Sequence, residues 1–349
     1  MSGTMMDNKP LSPSLPAPDP LLPVDDANLP APSLPSSSLP SSLPTTGADR
    51  ESPLRDVFLG PDGIYPGTRW LIYLGMGWII YQMEGWLLLS LRSSLGALWW
   101  SLVVEGSRML ATILPAVVMA RIEGRPFGDF GLPARRAFGR NFWVGALWGI
   151  VSLSVLMLTL RGTGAFEFGS LALHGIRIWK FAAYYAVLFL LTGFFEDFLM
   201  RGYSQWVLSQ GMDFWPAAAL LSFAFGYIHS GNSGEAMTGL IAAGLIGFFL
   251  CLTLRRTGTL WWAVGFHMAW DWGESYLYSV PDSGTLLPGH LLNSSLHGPD
   301  WLAGGSVGPE GSYLVFAVIG MLWVVFDRVY PNVKYGVCGD GASPRPSGA

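Results

Sequence analysis

Residues 178–210 read IWKFAAYYAVLFLLTGFFEDFLMRGYSQWVLSQ. The stretch is too long for a bare bilayer span, which needs about 20 mostly apolar residues. It is also apolar almost throughout, yet it carries Glu196, Asp197 and Arg201. Ionisable groups at bilayer depth are costly, and they turn toward a bundle interior or a water-filled cavity. The stretch therefore reads as a membrane helix that holds part of a polar site.

The composition agrees. Of 349 residues, 51% are hydrophobic and 13% charged, where a soluble domain carries about 25% charged residues. The mean hydropathy is +0.39. These values exclude an ordinary soluble enzyme, a disordered chain and a disulfide-rich secreted module. A net charge of −4 argues against nucleic acid as a partner. Cys251 lies in an apolar run and Cys338 in a polar tail, so neither a disulfide nor a cysteine-based metal site is expected. The expected class is an all-α polytopic membrane protein.

Outward from the central stretch, the chain divides into three regions. Residues 1–66 are Pro- and Ser-rich (PSLPAPDPLLP, LPSSSLPSSLP). Such a segment buries too little apolar area to offset its chain entropy and is expected to be a disordered tail. It lacks the basic start and unbroken apolar run of a signal peptide. Residues 67–330 form the expected transmembrane domain, with eight candidate spans near 70–91, 95–121, 141–160, 178–210, 214–230, 236–254, 259–280 and 312–330. Residues 331–349 form a polar tail. Basic residues gather in the 122–140 loop, at Arg255 and Arg256, before the first span and after the last, whereas 231–235 and 281–311 contain none. The positive-inside rule then puts both termini in the cytoplasm.

The polar residues inside spans cluster in the second half: Glu196, Asp197 and Arg201 in the fourth span, His229 in the fifth, His267 and Asp271 in the seventh. Residues four apart share a helix face. Asp197 can therefore pair with Arg201, Phe225 lies on the face of His229, and His267 on that of Asp271. Glu196 sits about 100° away from the Asp197–Arg201 row, free to point elsewhere. At about 1.5 Å of rise per residue, Glu196 and His229 each lie about 20 Å from the 211–214 turn that joins their spans. His267 and Asp271 lie about 12 and 18 Å from a start near Thr259. The four groups can thus meet at one depth.

Three patterns, Glu-Asp-x-x-x-Arg at 196–201, Phe-x-x-x-His at 225–229 and His-x-x-x-Asp at 267–271, resemble the signature motifs of the CPBP family. That family comprises the type II CAAX prenyl endopeptidases and bacterial Abi-type membrane proteases. The Gly202 that follows Arg201 and the run TGTLWWAVGFH at 257–267 resemble it too, and the resemblance covers about 178–281. One departure stands out: the family's usual second acid is Glu, and here it is Asp197.

The resemblance implies an intramembrane endopeptidase with a conical active-site chamber, acting on a membrane-associated substrate of the prenylated CAAX type. Glu196 would activate water. His229 would orient the water or substrate. His267 and Asp271 would hold the scissile carbonyl and stabilise its developing charge. Asp197, Arg201 and Phe225 would be supports. No cofactor is expected to be required. If zinc takes part, Glu196, His229 and His267 are its candidate ligands, although the chain has no HExxH.

Other readings compete. Gly231-Asn232-Ser233-Gly234 spells a rhomboid-like GxSG. A non-catalytic Abi-like immunity or scaffold protein would use the same helices, and a transporter would use intramembrane Glu and His as a proton relay. Glu84, Glu105 and Arg108 match no motif and could pair with one another. Glu274 is expected at the mouth of the chamber or the interface, Trp261 and Trp262 in the interfacial aromatic belt, and the 281–311 loop over the outer face.

Overall fold

Pro66 opens the first helix. A proline at the first helical position gives up no helix hydrogen bond and has its φ already set, and α1 runs over Pro66–Arg92. The structure is a computed structural model that describes residues 59–60, 63–232 and 236–336. Most of the Pro-rich head, the end of the polar tail and Ser233 lie outside the described residues.

Helices follow α1 in close succession: α2 (Ala97–Ile122), α3 (Arg140–Gly162) and α4 (Ile176–Arg201). Next come α5 (Tyr203–Met212), α6 (Phe214–Ile228) and α7 (Met237–Thr257). The last long ones are α8 (Trp261–Trp272) and α9 (Leu314–Val329). The described strands are two-residue pairs, Leu59–Gly60 with Gly63–Ile64 and Phe166–Glu167 with Ser295–Leu296, both antiparallel. The class is all-helical, with each apolar run expected from the sequence covered by helix. Ala97–Ile122, Arg140–Gly162, Ile176–Met212 and Met237–Thr257 are the four described stretches long and apolar enough to cross a membrane.

Two readings of the helices need correction. The long run at 178–210 is not one rod: it breaks at Gly202, where φ is −84° and ψ is −115°. A Cβ there would stand 2.5 Å from the Phe198 carbonyl oxygen, so only glycine fits the turn. The fifth expected span, α6, stops at Ile228, and His229 begins a 3-10 turn rather than closing the helix.

Small residues decide how the helices cross. A Cβ on Gly145 of α3 would lie 2.0 Å from the Trp262 carbonyl oxygen, and one on Gly149 would lie 2.3 Å from that of Phe266. From the other side, a Cβ on Gly265 of α8 would lie 2.1 Å from the Phe142 carbonyl oxygen. The backbones of α3 and α8 therefore touch, as small-xxx-small helix pairs do in lipid. This crossing holds α8, and with it His267, against α3. Trp262 is buried within it, stacked on Phe266 at 5.5 Å and edge-on to Phe326 at 4.9 Å. Trp261 is buried too. The aromatic-belt reading of both indoles is thus wrong: they pack inside the protein, drawn in by the glycine-mediated approach of α3.

At the end where α7 turns into α8, the basic segments meet. Thr259 donates to the Gly131 carbonyl at 3.1 Å, Arg255 to the Tyr335 carbonyl at 2.7 Å, and the Tyr335 hydroxyl to the Asp129 carbonyl at 2.9 Å. The 331–335 segment is docked rather than a free polar tail. Away from it, the 163–175 and 281–311 loops bind each other through the Phe166–Glu167 ribbon and the Leu171–Leu292 bridge.

Candidate active site

Gly193 sets the distance between α4 and α8. A Cβ there would lie 3.2 Å from the His267 Cβ, so its absence lets the two helices close at the level of the imidazole. One turn further along α4 come the two acids, and they part as their 100° offset requires. Asp197 is fully buried, while the Glu196 side chain keeps 23% exposure and lines a cavity of about 720 Å³.

The buried acid anchors the site. Asp197 Oδ1 accepts from Arg201 Nη1 at 2.5 Å, one turn along the helix. Arg201 Nε donates to the Gly247 carbonyl at 3.1 Å, and its guanidinium lies 4.8 Å from the Phe225 ring centroid. The arginine thus ties α4 to α7 and α6. Gly247 is needed for this, because a Cβ there would stand 2.8 Å from Arg201 Nη2. The aspartate is long enough to make the pair, despite its departure from the usual glutamate.

His267 sits among three carboxylates. Its Nε2 lies 3.7 Å from Glu196 Oε2 and 3.5 Å from Asp271 Oδ2, while Nδ1 lies 3.4 Å from Asp197 Oδ2. The spacing argument brought out the Asp271 partner but missed the Asp197 contact. That contact depends on the rotation of α8 against α4, which no within-helix spacing records. None of the three distances is a short hydrogen bond, and His267, Glu196 and Asp271 all border the cavity.

His229 approaches from α6. Its Nδ1 is 2.8 Å from the Phe225 carbonyl oxygen. A carbonyl only accepts, so Nδ1 carries the proton and, in the neutral ring, Nε2 is left as an acceptor. The Phe225 and His229 rings lie 4.6 Å apart. Phe225 therefore has three parts in the site: a platform for Arg201, a neighbour of the imidazole and the acceptor that fixes its tautomer.

Glu196, His229, His267 and Asp271 all border the one cavity. Its remaining wall is mostly apolar, including Leu74, Trp78, Leu188 and Phe189. Four further charged residues line it that the motifs did not supply: Glu105 and Arg108 from α2, and Asp282 and Glu310 from the 281–311 loop. Glu105 and Arg108 pair at 2.7 Å, as expected, whereas Glu84 takes Ser107 instead, at 2.6 Å. Nothing local in the sequence marks Asp282 or Glu310, which reach the cavity through the loop's long-range path. Glu274 is also corrected: it lies fully buried in a π-helical turn, Gly273–Tyr278, and not at a mouth.

Ligand atoms of three or more His, Cys, Asp or Glu residues come within 4.8 Å of one another at one place among the described residues, at Glu274, Asp282 and Glu310. The candidate zinc set of Glu196, His229 and His267 is not gathered in this way. What the arrangement can do is polar chemistry in an apolar surround: a carboxylate beside an imidazole, a second imidazole with a free acceptor nitrogen, and a buried ion pair holding their helices.

Residues 178–273 match the family model described as type II CAAX prenyl endopeptidase Rce1-like. The matched segment takes in all three motifs and ends one residue before Glu274. No curated protein matches the chain.

Proposed function

We propose, from the type II CAAX prenyl endopeptidase Rce1-like domain at residues 178–273, that this chain is an intramembrane endopeptidase. The observation that carries the reading is the placement of Glu196, His229, His267 and Asp271 on the wall of one largely apolar cavity, with Glu196 3.7 Å from His267.

Glu196 takes a proton from a water in the cavity while the hydroxide attacks the scissile carbonyl carbon. His229 Nε2 accepts a hydrogen bond from that water and fixes its direction. His267, backed by Asp271 and Asp197, sits where the carbonyl oxygen gathers negative charge and stabilises it. As the C–N bond breaks, Glu196 returns its proton to the leaving amine, so one water is consumed and no other reagent is needed. Asp197, Arg201 and Phe225 act as positioning residues, since they hold α4, α6 and α7 together around the reacting groups. No cofactor enters this scheme.

The substrate in this reading is a membrane-associated peptide of the prenylated CAAX class, its lipid against Leu74, Trp78, Leu188 and Phe189, with the lipid bilayer the other partner. The apolar wall supports this. The eight helices starting at α1–α4, α6–α9 would lie in the bilayer around a chamber, with both termini cytoplasmic. The gathering of Arg255, the 122–140 loop and the 331–335 segment at one end supports that orientation.

The test compares cleaved peptides in membranes of cells carrying the wild-type chain with those carrying Glu196→Gln at equal abundance. Peptides lost only in the variant support the reading. An identical set of peptides in both replaces it with a non-catalytic immunity or scaffold role.

A further inference from the structure

Glu274 poses a problem that the proposed hydrolysis leaves untouched. It is 0% exposed, and neither of its carboxylate oxygens has a hydrogen-bond partner. A buried carboxylate without partners is strongly disfavoured. The charged side chains that act on it most strongly are Glu310, Asp282 and Asp271, all acidic, while the Trp270 indole offsets them in part. Its oxygens are aimed at two carboxylates from a distant loop: one oxygen each from Glu274, Asp282 and Glu310 lies within 4.8 Å of the others.

The surroundings hold these groups in place. Ser283 donates to Glu310 Oε2 at 2.8 Å and Ser275 to Asp282 Oδ2 at 3.3 Å. The Gly308 backbone passes so near that a Cβ there would stand 3.4 Å from Glu274 Oε1 and 2.0 Å from the Pro281 carbonyl oxygen. Glu274 itself is presented by the wide π-helical turn Gly273–Tyr278, a feature often found at functional sites.

We propose that Glu274, Asp282 and Glu310 bind one hard divalent cation, and that the ion clamps the 281–311 loop onto the end of α8. Three carboxylates are the donor type of such ions, which take oxygen ligands. Oxygens on opposite sides of Ca²⁺ stand about 4.6–5.2 Å apart, against about 4.1 Å for Mg²⁺. The three oxygens lie within 4.8 Å of one another, close enough for one such ion to reach all three. The cation supplies the positive charge that Glu274 lacks, and it shapes the cavity wall at Asp282 and Glu310 without touching Glu196.

The test uses the purified full chain in detergent, stripped with EDTA and titrated with Ca²⁺, and separately with Tb³⁺ excited through tryptophan. The expected result is a rise in thermal midpoint with Ca²⁺ and a saturable Tb³⁺ signal that Ca²⁺ displaces. Glu274→Gln and Glu310→Gln lose both responses, and Glu196→Gln keeps them. If Glu274→Gln fails to fold, Asp282→Asn, on the loop side, gives the same reading. A wild-type protein whose midpoint is indifferent to EDTA and Ca²⁺, or a Glu274→Gln chain that binds as wild type does, overturns the proposal. Because the readout is binding and stability, the result is independent of whether the chain cleaves peptides.

Discussion

His267 Nδ1 faces Asp197 Oδ2 at 3.4 Å, across the contact between α4 and α8. The same aspartate clamps Arg201 through its other oxygen. One buried acid thus joins an arginine that ties down α6 and α7 to an imidazole that borders the cavity. The ring's opposite nitrogen is left to face Glu196 and Asp271.

Glu196→Gln should remove the proton acceptor while keeping side-chain volume and the α4 packing. Loss of a general base costs about 10²- to 10⁴-fold in rate. Cleavage of a membrane-bound peptide should fall by that order, with the thermal midpoint of the purified chain little changed. A variant as active as the wild type would remove Glu196 from the reaction.

Arg201→Ala should destabilise the protein itself. It removes the nearer of the two partners of Asp197, a side chain with no exposure, and breaking a buried pair from one side costs about 3–5 kcal/mol. Thermal unfolding in detergent should show a clearly lowered midpoint. Asp197→Asn should be milder in stability, since an amide can still accept from Arg201, and its cost should appear in the cleavage rate through His267.

Gly145→Ala should drive α3 away from α8, because the new methyl would stand 2.0 Å from a backbone oxygen that cannot swing aside. Overpacking of this kind costs about 1–3 kcal/mol. Since α8 carries His267, the variant should lose activity together with stability. Gly85→Ala, at a helical glycine with open space around it, is the control and should do neither.

The stretch of loop around His290 should loosen in acid. Burial holds the His290 imidazole below its ordinary value of 6.5. The folded loop therefore binds its proton less readily than the unfolded chain does. Stability is full above 6.5, falls as the pH drops from there through the lower folded value, and levels off below it. Hydrogen exchange of the loop amides between pH 7.5 and pH 5 should rise relative to intrinsic exchange, and His290→Asn should flatten that rise.

Much of the site was legible before any coordinates, and for a local reason. An α-helix puts residues four apart on one face, so the Asp197–Arg201 pair, the Phe225–His229 pair and the His267–Asp271 pair follow from spacing alone. The offset of Glu196 from Asp197 follows from the same geometry. The burial of Glu274 and Trp262 and the break at Gly202 leave no such trace, because each depends on what packs against it. Trp262 is apolar and near a helix start, which suits an interface as well as a core; the α3 glycines opposite it decided the matter. Glu274 stood three residues past Asp271 with nothing nearby to mark its partners, which arrive from residues 282 and 310.

Composition and apolar run lengths by themselves determined that this is a helical membrane protein, and helix periodicity determined which polar residues share a face. Tertiary structure alone decided which faces meet. Approaches between helices depend on missing side chains, at Gly145, Gly193 and Gly247, and on loops that close over long stretches of chain. Neither leaves a periodic trace, because a contact between distant segments is a property of the packed whole and not of any window of sequence.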